Sequence, residues 1–556
     1  MAIRSLFRPR ILSKPNTWDF IGRIVVALLI GTIFLAGIQL RRWTWNETRH
    51  VRFQHDIVNA FYWGSETLKE ARRLSPDEAS ANSWTGFLRG YFALYDRVKR
   101  KAHDHDYHLD YPPLRLLGMS IWAKMVRSDF PGVDDGHPKH VKPLLNVNLF
   151  CELISALAIF LLVRLWVHRA SGATGSRFLH RLPAESRAWI CGLAAASAVW
   201  LEPSMILDAH GWPQWDVWIL PFYLFAALAA STRRWFWCGC LLSAGAMFKG
   251  QLLLVAPFFV LWPLCQKRWT DALRLLAGFA STTALIVSPW LLRTPAALIG
   301  VALVGGVSCL IFFGRKFGHA WAWLAGTIAL GIFVAGALTG GSFAWLQIGF
   351  LYGSEHYPFL FISSCYNLPF LLDRLGWSLK DSLWSYEFGS RHIALTLQWA
   401  LRLAYLGGLA LCSLGAARHS RSRDPRILIA IATPWLLMFA MLGQMHERYL
   451  MWGAVVSAVA LGVSLRLSVV HFIISAMSTA MIVHVMLKDK KLETTLRLVD
   501  FLHDVRPYAS GILLVCVAVC LWETVSTRVP VFQRSRRQSR AEEVPALSLG
   551  PAAEEA

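Results

Sequence analysis

Charge is scarce in this 556-residue chain: only 16% of its residues are Asp, Glu, Lys or Arg, against 55% hydrophobic ones. A soluble domain carries roughly a quarter charged residues, so this composition excludes a soluble globular protein and points to an integral membrane protein. Acidic residues are scarcer than basic ones, 35 against 56, for a net charge of +21. That excess does not point to nucleic acid. The Lys and Arg residues fall in short strings between apolar runs and in the tails, where the positive-inside rule places them. Of ten cysteines, nine lie within or at the ends of apolar runs and only Cys365 falls in a candidate outer loop, so no disulfide framework is implied. A Walker A string is missing, which argues against direct ATP-driven work. No His-Glu-x-x-His string or other paired metal-ligand motif occurs either. No metal site and no cofactor are therefore predicted, with divalent-metal dependence left open. There is no internal repeat and no separate soluble domain. No small-residue cleavage site follows the first apolar span, so residues 1–23 read as the head of a retained helix rather than a signal peptide.

What is present is a series of apolar runs at 22–40, 147–167, 187–203, 217–231, 235–248, 251–266, 272–291, 296–313, 319–345, 393–414, 426–443, 450–466, 468–487 and 508–523. Runs of this length predict transmembrane helices. The fold class expected is an all-α polytopic membrane bundle of about fourteen helices, or twelve if the short run at 235–248 is re-entrant. A cytoplasmic segment at 1–21 precedes the membrane domain at 22–530, and a disordered Arg/Ser-rich then Ala/Glu-rich tail occupies 531–556. Cationic loops at 168–187, 231–234, 266–268, 315–316 and 418–426 fall inside if the N-terminus is cytoplasmic; only 488–491 goes against the rule. The same parity puts the long first loop at 41–142 outside, together with 208–216, 351–391 and 444–449. In the first loop Phe53, Ile57, Phe61 and Tyr62, and then Phe87, Tyr91 and Tyr95, recur at helical spacing and predict interfacial amphipathic helices.

The polar strings on that outer side are dense in chemistry. Tyr107-His108-Leu109-Asp110-Tyr111-Pro112-Pro113-Leu114-Arg115 holds an acid, phenols, an imidazole and a guanidinium on a turn stiffened by two prolines. Its bland reading is an interfacial turn with a Tyr anchor and a snorkelling Arg. Ahead of it run Trp45-Asn46-Glu47-Thr48-Arg49-His50 and Gln54-His55-Asp56. Asp208-Ala209-His210-Gly211-Trp212-Pro213-Gln214-Trp215-Asp216 combines carboxylates, an imidazole and indoles, a set suited to sugar hydroxyls and pyranose faces. An aromatic belt would explain Trp212 and Trp215, but not Asp208, His210 and Asp216. Lys249, in Phe248-Lys249-Gly250-Gln251, is an ionisable residue between apolar runs, a functional candidate by default and otherwise a snorkelling anchor. Gln444-Met445-His446-Glu447-Arg448 packs three ionisable groups between two apolar helices, where such a cluster is expensive.

The Asp-Tyr-Pro-Pro-Leu string resembles the first-loop signature of the polytopic GT-C-type glycosyltransferases, most closely the dolichyl-phosphate-glucose-dependent glucosyltransferases of lipid-linked oligosaccharide assembly. Three further strings follow in the family's order. His210, Gly211 and Gln214 match its His-Gly-His-Phe-Gln-Tyr-Asn pattern, with Trp212 for the second His, Trp215 for Tyr and Asp216 for Asn. Lys249 matches its Lys-Gln string, with Gly250 inserted, and His446-Glu447-Arg448 resembles its His-Glu-Lys string. The resemblance implies an inverting hexosyl transfer from a polyprenyl-phosphate sugar to a lipid-linked or other glycan acceptor, with membrane lipid as surroundings and no nucleic acid. It assigns the donor phosphate to Lys249, His446 and Arg448. The base falls to Glu47, with Asp56 next and Asp110 third. Sugar or acceptor contacts fall to Tyr111, Arg115, Asp208, His210, Gln214, Trp215 and Asp216. The expected location is a bacterial inner membrane with the site facing the periplasm, the endoplasmic reticulum being the alternative. The rival class is a transporter or flippase of a lipid-linked saccharide. Such a protein should show related halves and polar groups near mid-membrane, whereas here the charged strings crowd one face.

Overall fold

The computed structural model describes residues 17–51, 55–102, 106–132, 138–170, 182–314, 319–359, 361–388, 391–488 and 495–526. Phe53, the cationic loop at 315–316 and the tail at 531–556 lie outside them. Among the described residues nine helices are long and apolar enough to cross a membrane, beginning with Ile24–His50, His140–Arg169 and Ala184–Gly211 and ending with Leu465–Lys488 and Arg506–Val525. The protein is thus an all-α, membrane-embedded chain. Four shorter apolar helices, Asp216–Ser231, Trp235–Phe248, Leu252–Cys265 and Ile427–Met441, stand among them. Every apolar run found in the sequence falls largely on helix, with three changes. The helix in the run at 319–345 stops at Leu338, and 339–343 are non-helical. The run at 393–414 opens as a strand, Arg391–Thr396, paired antiparallel with Ser382–Phe388 in a small hairpin. The run at 450–466 is a short α-helix, Leu450–Ser457, followed by a 3₁₀ stretch, Ala458–Gly462.

The segment between the first two long helices folds into helices of its own, chiefly His55–Leu74, Trp84–Lys101 and Pro113–Asp129. Much of their apolar surface is turned inward, though Trp84, Leu88 and Met125 are exposed. Ile57, Phe61, Phe87, Tyr91 and Tyr95 are buried, and the helices form a second core with Trp290 and Trp345. The Trp290 indole N–H donates to the Phe92 carbonyl at 2.8 Å, tying this core to the helix Trp269–Leu291. Tyr62 remains exposed.

Close helix contact rests on small residues, as expected where lipid supplies no hydrophobic drive between helices. Trp235–Phe248 packs on Trp269–Leu291 through Gly239 and Gly278. A Cβ added to Gly239 would lie 1.9 Å from the Leu275 carbonyl oxygen, and one on Gly278 would lie 2.0 Å from that of Phe236. Both neighbours are backbone, so neither can swing away. We predict that Gly278→Val lowers stability by about 1–3 kcal/mol or more, as overpacking does. Gly306→Val, at a position with nothing within 4 Å, should change it little. Thermal unfolding of the two variants in one detergent checks the contrast.

Candidate functional site

Three interruptions in the helices create the site. After the helix Ala184–Trp200 the chain passes through a π-turn, Leu207–Gly211, and a 3₁₀ turn, Asp216–Trp218, before the helix Ile219–Ser231 starts. Lys249 is extended (φ −154°, ψ 118°) directly behind Phe248, the last residue of its helix. Arg448 sits in the 3₁₀ turn Glu447–Tyr449, which leads into Leu450–Ser457. Each break frees backbone polar groups and places ionisable side chains in the interior, and irregular backbone is tolerated among apolar helices where protein surrounds it.

The side chains meet in a chain of alternating charge. The Lys249 ammonium donates to Asp216 Oδ1, and Arg448 Nε lies 2.8 Å from Asp216 Oδ2, within ion-pair range though not aligned for a hydrogen bond. Arg448 Nη1 donates to Asp56 Oδ2 at 3.0 Å, and Gln214 Nε2 donates to the same oxygen at 2.9 Å. Asp216, Lys249 and Arg448 are buried, while the Asp56 side chain keeps 30% of its surface exposed. The chain of charges therefore runs from the interior to an accessible carboxylate. Aromatic rings line the cations. Lys249 Nζ lies 4.5 Å from the Tyr449 ring centroid and 5.1 Å from that of Trp452, whose indole N–H donates to the Asp216 carbonyl at 2.8 Å. Arg448 lies 5.3 Å from the Trp212 ring centroid, and Arg115 lies 4.3 and 4.8 Å from those of Tyr111 and Trp215.

Burial pushes the Lys249 ammonium down to about 8, against the opposing pull of Asp216. For Arg448 burial acts in the same direction, but the charges of Asp216 and Asp56 outweigh it and hold the guanidinium firmly protonated. The site thus offers one permanent cation and one adjustable cation beside a partly open carboxylate. An anion of phosphate type fits the first two, and a hydroxyl proton fits the third.

No protein-family model matches this chain, and no curated protein is significantly similar to it. The side-chain geometry alone therefore sorts the residues singled out in the sequence. Glu47 is exposed at the end of the helix Thr17–Glu47 and takes no part in the charge chain, whereas Asp56 does. Asp110 is also exposed, at the rim formed by the buried Tyr111. That rim is anchored from below: the Tyr95 hydroxyl donates to the Tyr111 carbonyl at 2.6 Å and the Tyr91 hydroxyl to the Pro113 carbonyl at 2.7 Å. His210 belongs to a different buried group, with Glu152 Oε2 lying 3.2 Å from its Nε2 and 2.5 Å from Arg41 Nε. Asp208 is fully buried, and neither of its carboxyl oxygens has a hydrogen-bond partner. His446 stands beside Glu447 at 2.6 Å and packs edge-on against Trp212 at 5.8 Å, next to the chain of charges rather than in it.

Several residues that hold the site escaped the sequence reading. Asn148 Nδ2 donates to the carbonyls of Ala209 and Gln214, both at 2.8 Å, and so fixes the 208–216 string. Glu152 compensates Arg41 and His210. Both stand inside an apolar run, and a lone polar residue there was the available signal. Tyr449 and Trp452 carried no such mark, because aromatics are common in these helices.

Glu447 sets a pH limit. Burial raises its carboxyl, but the His446 ring and the Ser364 hydroxyl, which donates to it at 2.5 Å, more than offset this and bring it down to about 2. A depressed carboxyl contributes stability that is fully present above its ordinary value of 4.5 and is lost as pH falls toward about 2. We predict that Glu447→Gln melts well below the wild type at pH 7 and that the gap narrows as pH falls through that window. A pH series of melting temperatures tests it, and a constant gap would exclude this linkage.

Proposed function

We propose that the chain is an inverting GT-C-type glycosyltransferase that moves a hexose from a polyprenyl-phosphate donor to the hydroxyl of a lipid-linked or other glycan. The observation that carries this reading is the convergence of Asp56, Gln214, Asp216, Lys249 and Arg448, drawn from separate parts of the chain, into one network of cations and carboxylates. In the proposed reaction Lys249 and Arg448 hold the donor phosphate, with His446 at its edge. The phosphate oxygens compete with Asp56 for Arg448, so donor binding releases the carboxylate at the moment it is needed. The acceptor oxygen then attacks the anomeric carbon from the face opposite the phosphate. The bond from that carbon to the phosphate oxygen breaks, the electron pair leaves with the polyprenyl phosphate, and the acceptor proton passes to Asp56. One displacement inverts the anomeric centre. The leaving group is already an anion of low basicity, so it needs cations more than an acid.

Around this centre Tyr111, Arg115 and Trp215 offer stacking faces and a guanidinium for the sugars, Asp110 reaches the acceptor from the rim, and Asp216 keeps the two cations in place. In this reading the four shorter apolar helices and the segment 450–462 cross the membrane with the nine long ones, about fourteen crossings in all. The first-loop helices and the site then face the periplasm of a bacterial inner membrane, or the lumen if the membrane is endoplasmic reticulum.

General-base help is worth about 10² to 10⁴ in rate. Asp56→Asn should therefore lower turnover within that range in a transfer assay with purified protein, while Glu47→Gln stays near wild type; the reverse ranking would return the base to Glu47. Lys249 yields an independent check. Its ammonium is partly lost above about pH 8, and a bound phosphate must restore it. Donor affinity should consequently fall above that pH by at most about tenfold per unit. Lys249→Met should bind donor more weakly at pH 7 and lose this dependence, and an unaltered binding curve would remove Lys249 from the phosphate site.

A further inference from the structure

The helices that end in the charge chain have opposite ends too, and those ends enclose a second site. A cavity of about 590 Å³ lies where Arg169, Arg233, Trp262, Arg268, Arg421 and Arg423 come together. The far ends of Pro138–Arg169, Ile219–Ser231, Pro257–Cys265 and Leu397–Ser422 line it, with the first residue of Trp235–Phe248. Ile219–Ser231 and Trp235–Phe248 have 13 and 14 residues. At 1.5 Å per residue the cavity is about 20 Å from Asp216 and Lys249. It is a separate place.

Five arginines line it, Arg169, Arg233, Arg268, Arg421 and Arg423, and no carboxylate does. Arg268 is neutralised by Asp271 at 2.7 Å, and Arg169 donates to the Ser231 carbonyl at 3.1 Å. Arg233, Arg421 and Arg423 have no carboxylate partner among the described residues. Arg169 is within electrostatic reach of both Arg233 and Arg423, so like charges face one another. The walls are tryptophans. The Trp166 indole N–H donates to the Ser231 hydroxyl at 3.0 Å, but those of Trp235 and Trp262, both buried, have no hydrogen-bond partner.

A plainer account is that arginine is favourable at helix C-terminal ends, through the dipole and through topology. That account explains an arginine at each end. It does not explain why the ends converge on an aromatic-walled cavity that brings guanidiniums together. Backbone geometry adds to the case. Arg233 and Arg423 occupy left-handed conformations, with φ of 60° and 55°, just past the ends of Ile219–Ser231 and Leu397–Ser422, where glycine is the usual residue. At both positions a side chain stands where a bare backbone would fit more easily.

We propose that this cavity binds an organic phosphate carrying at least two negative charges. Three uncompensated guanidiniums supply the charge complement and planar forks for phosphate oxygens, and the volume falls in the range of small-molecule sites, about 300–1,000 Å³. The ligand chemistry is shared by two sources, the headgroup of a diphosphate phospholipid and a soluble diphosphate. The inference stands independently of the glycosyltransferase reading, because it uses none of the residues of the charge chain.

The test uses the full-length protein in nanodiscs. In one arm, discs of phosphatidylcholine are titrated with inorganic pyrophosphate by calorimetry. In the other, discs doped with diphosphatidylglycerol are opened in native mass spectrometry and the retained lipid is counted. At least one arm should show saturable binding that falls tenfold or more in the R233Q/R423Q double variant, with a severalfold loss in R421Q. R466Q, which removes an exposed arginine outside the cavity, should bind as the wild type does. Arg233, Arg421 and Arg423 are exposed, so melting without ligand should not change. Binding in the pyrophosphate arm assigns the soluble source, and binding in the lipid arm assigns the headgroup. Absence of saturable binding in both arms, or an equal loss in R466Q, would overturn the proposal.

Discussion

The buried carboxylate of Asp216 is the constraint on which the centre of this protein depends. It has no exposed surface, and an ionised carboxylate in such a place must be paired and hydrogen-bonded. Lys249 and Arg448 meet that need from two different breaks in the helices, and the indole of Trp452 donates to the Asp216 carbonyl from a third element. Removing one partner of a buried pair costs about 3–5 kcal/mol, because the other charge is left uncompensated. The same pairing that holds these helix ends together therefore also forces two cations to stand close to each other. A second anion, Asp56, is drawn to the outer cation. Packing and chemistry are here one arrangement.

Helix length then determines where that arrangement sits. Ile219–Ser231 and Trp235–Phe248 reach about 20 Å, while a bilayer's hydrocarbon layer is roughly 30 Å thick. The charge chain at one end of these helices and the arginine cavity at the other are thus closer together than the two faces of such a layer. The helices of the first loop compensate for the short reach. They build a core of their own above the site, and Trp215 joins that core at the place where Tyr111 and Arg115 stack.

The two ends of the short helices also differ in kind. At one end cations are matched by carboxylates within 3.0 Å. At the other, Arg268 alone of five arginines has a carboxylate partner among the described residues, Asp271 at 2.7 Å. The first arrangement is largely self-compensated and changes by exchange of partners. The second carries, among the described residues, an excess of positive charge. The net charge of +21 is thus unevenly spent across the fold.

The sequence by itself determined the class of protein and the inventory of reactive groups. The cost of exposing peptide groups to lipid makes an apolar run helical, a local effect that any window of the chain displays, and so nearly every run fell on helix, the start of 393–414 being a strand. Polar strings between such runs are costly in the same local sense, which made Asp208, Asp216, Lys249 and Arg448 visible before any contact was known. Only the tertiary structure decided which of them meet. Glu47 and Asp56 are nine positions apart in neighbouring polar strings, and nothing in their spacing distinguishes them. It is the entry of the helix His55–Leu74 over Gln214 and Arg448 that brings one carboxylate into the network and leaves the other in the open. The arginine cavity was hidden for the same reason. Its residues lie in four separate segments that each read as ordinary topology, and an electrostatic field is a sum over distances that the order of residues does not contain.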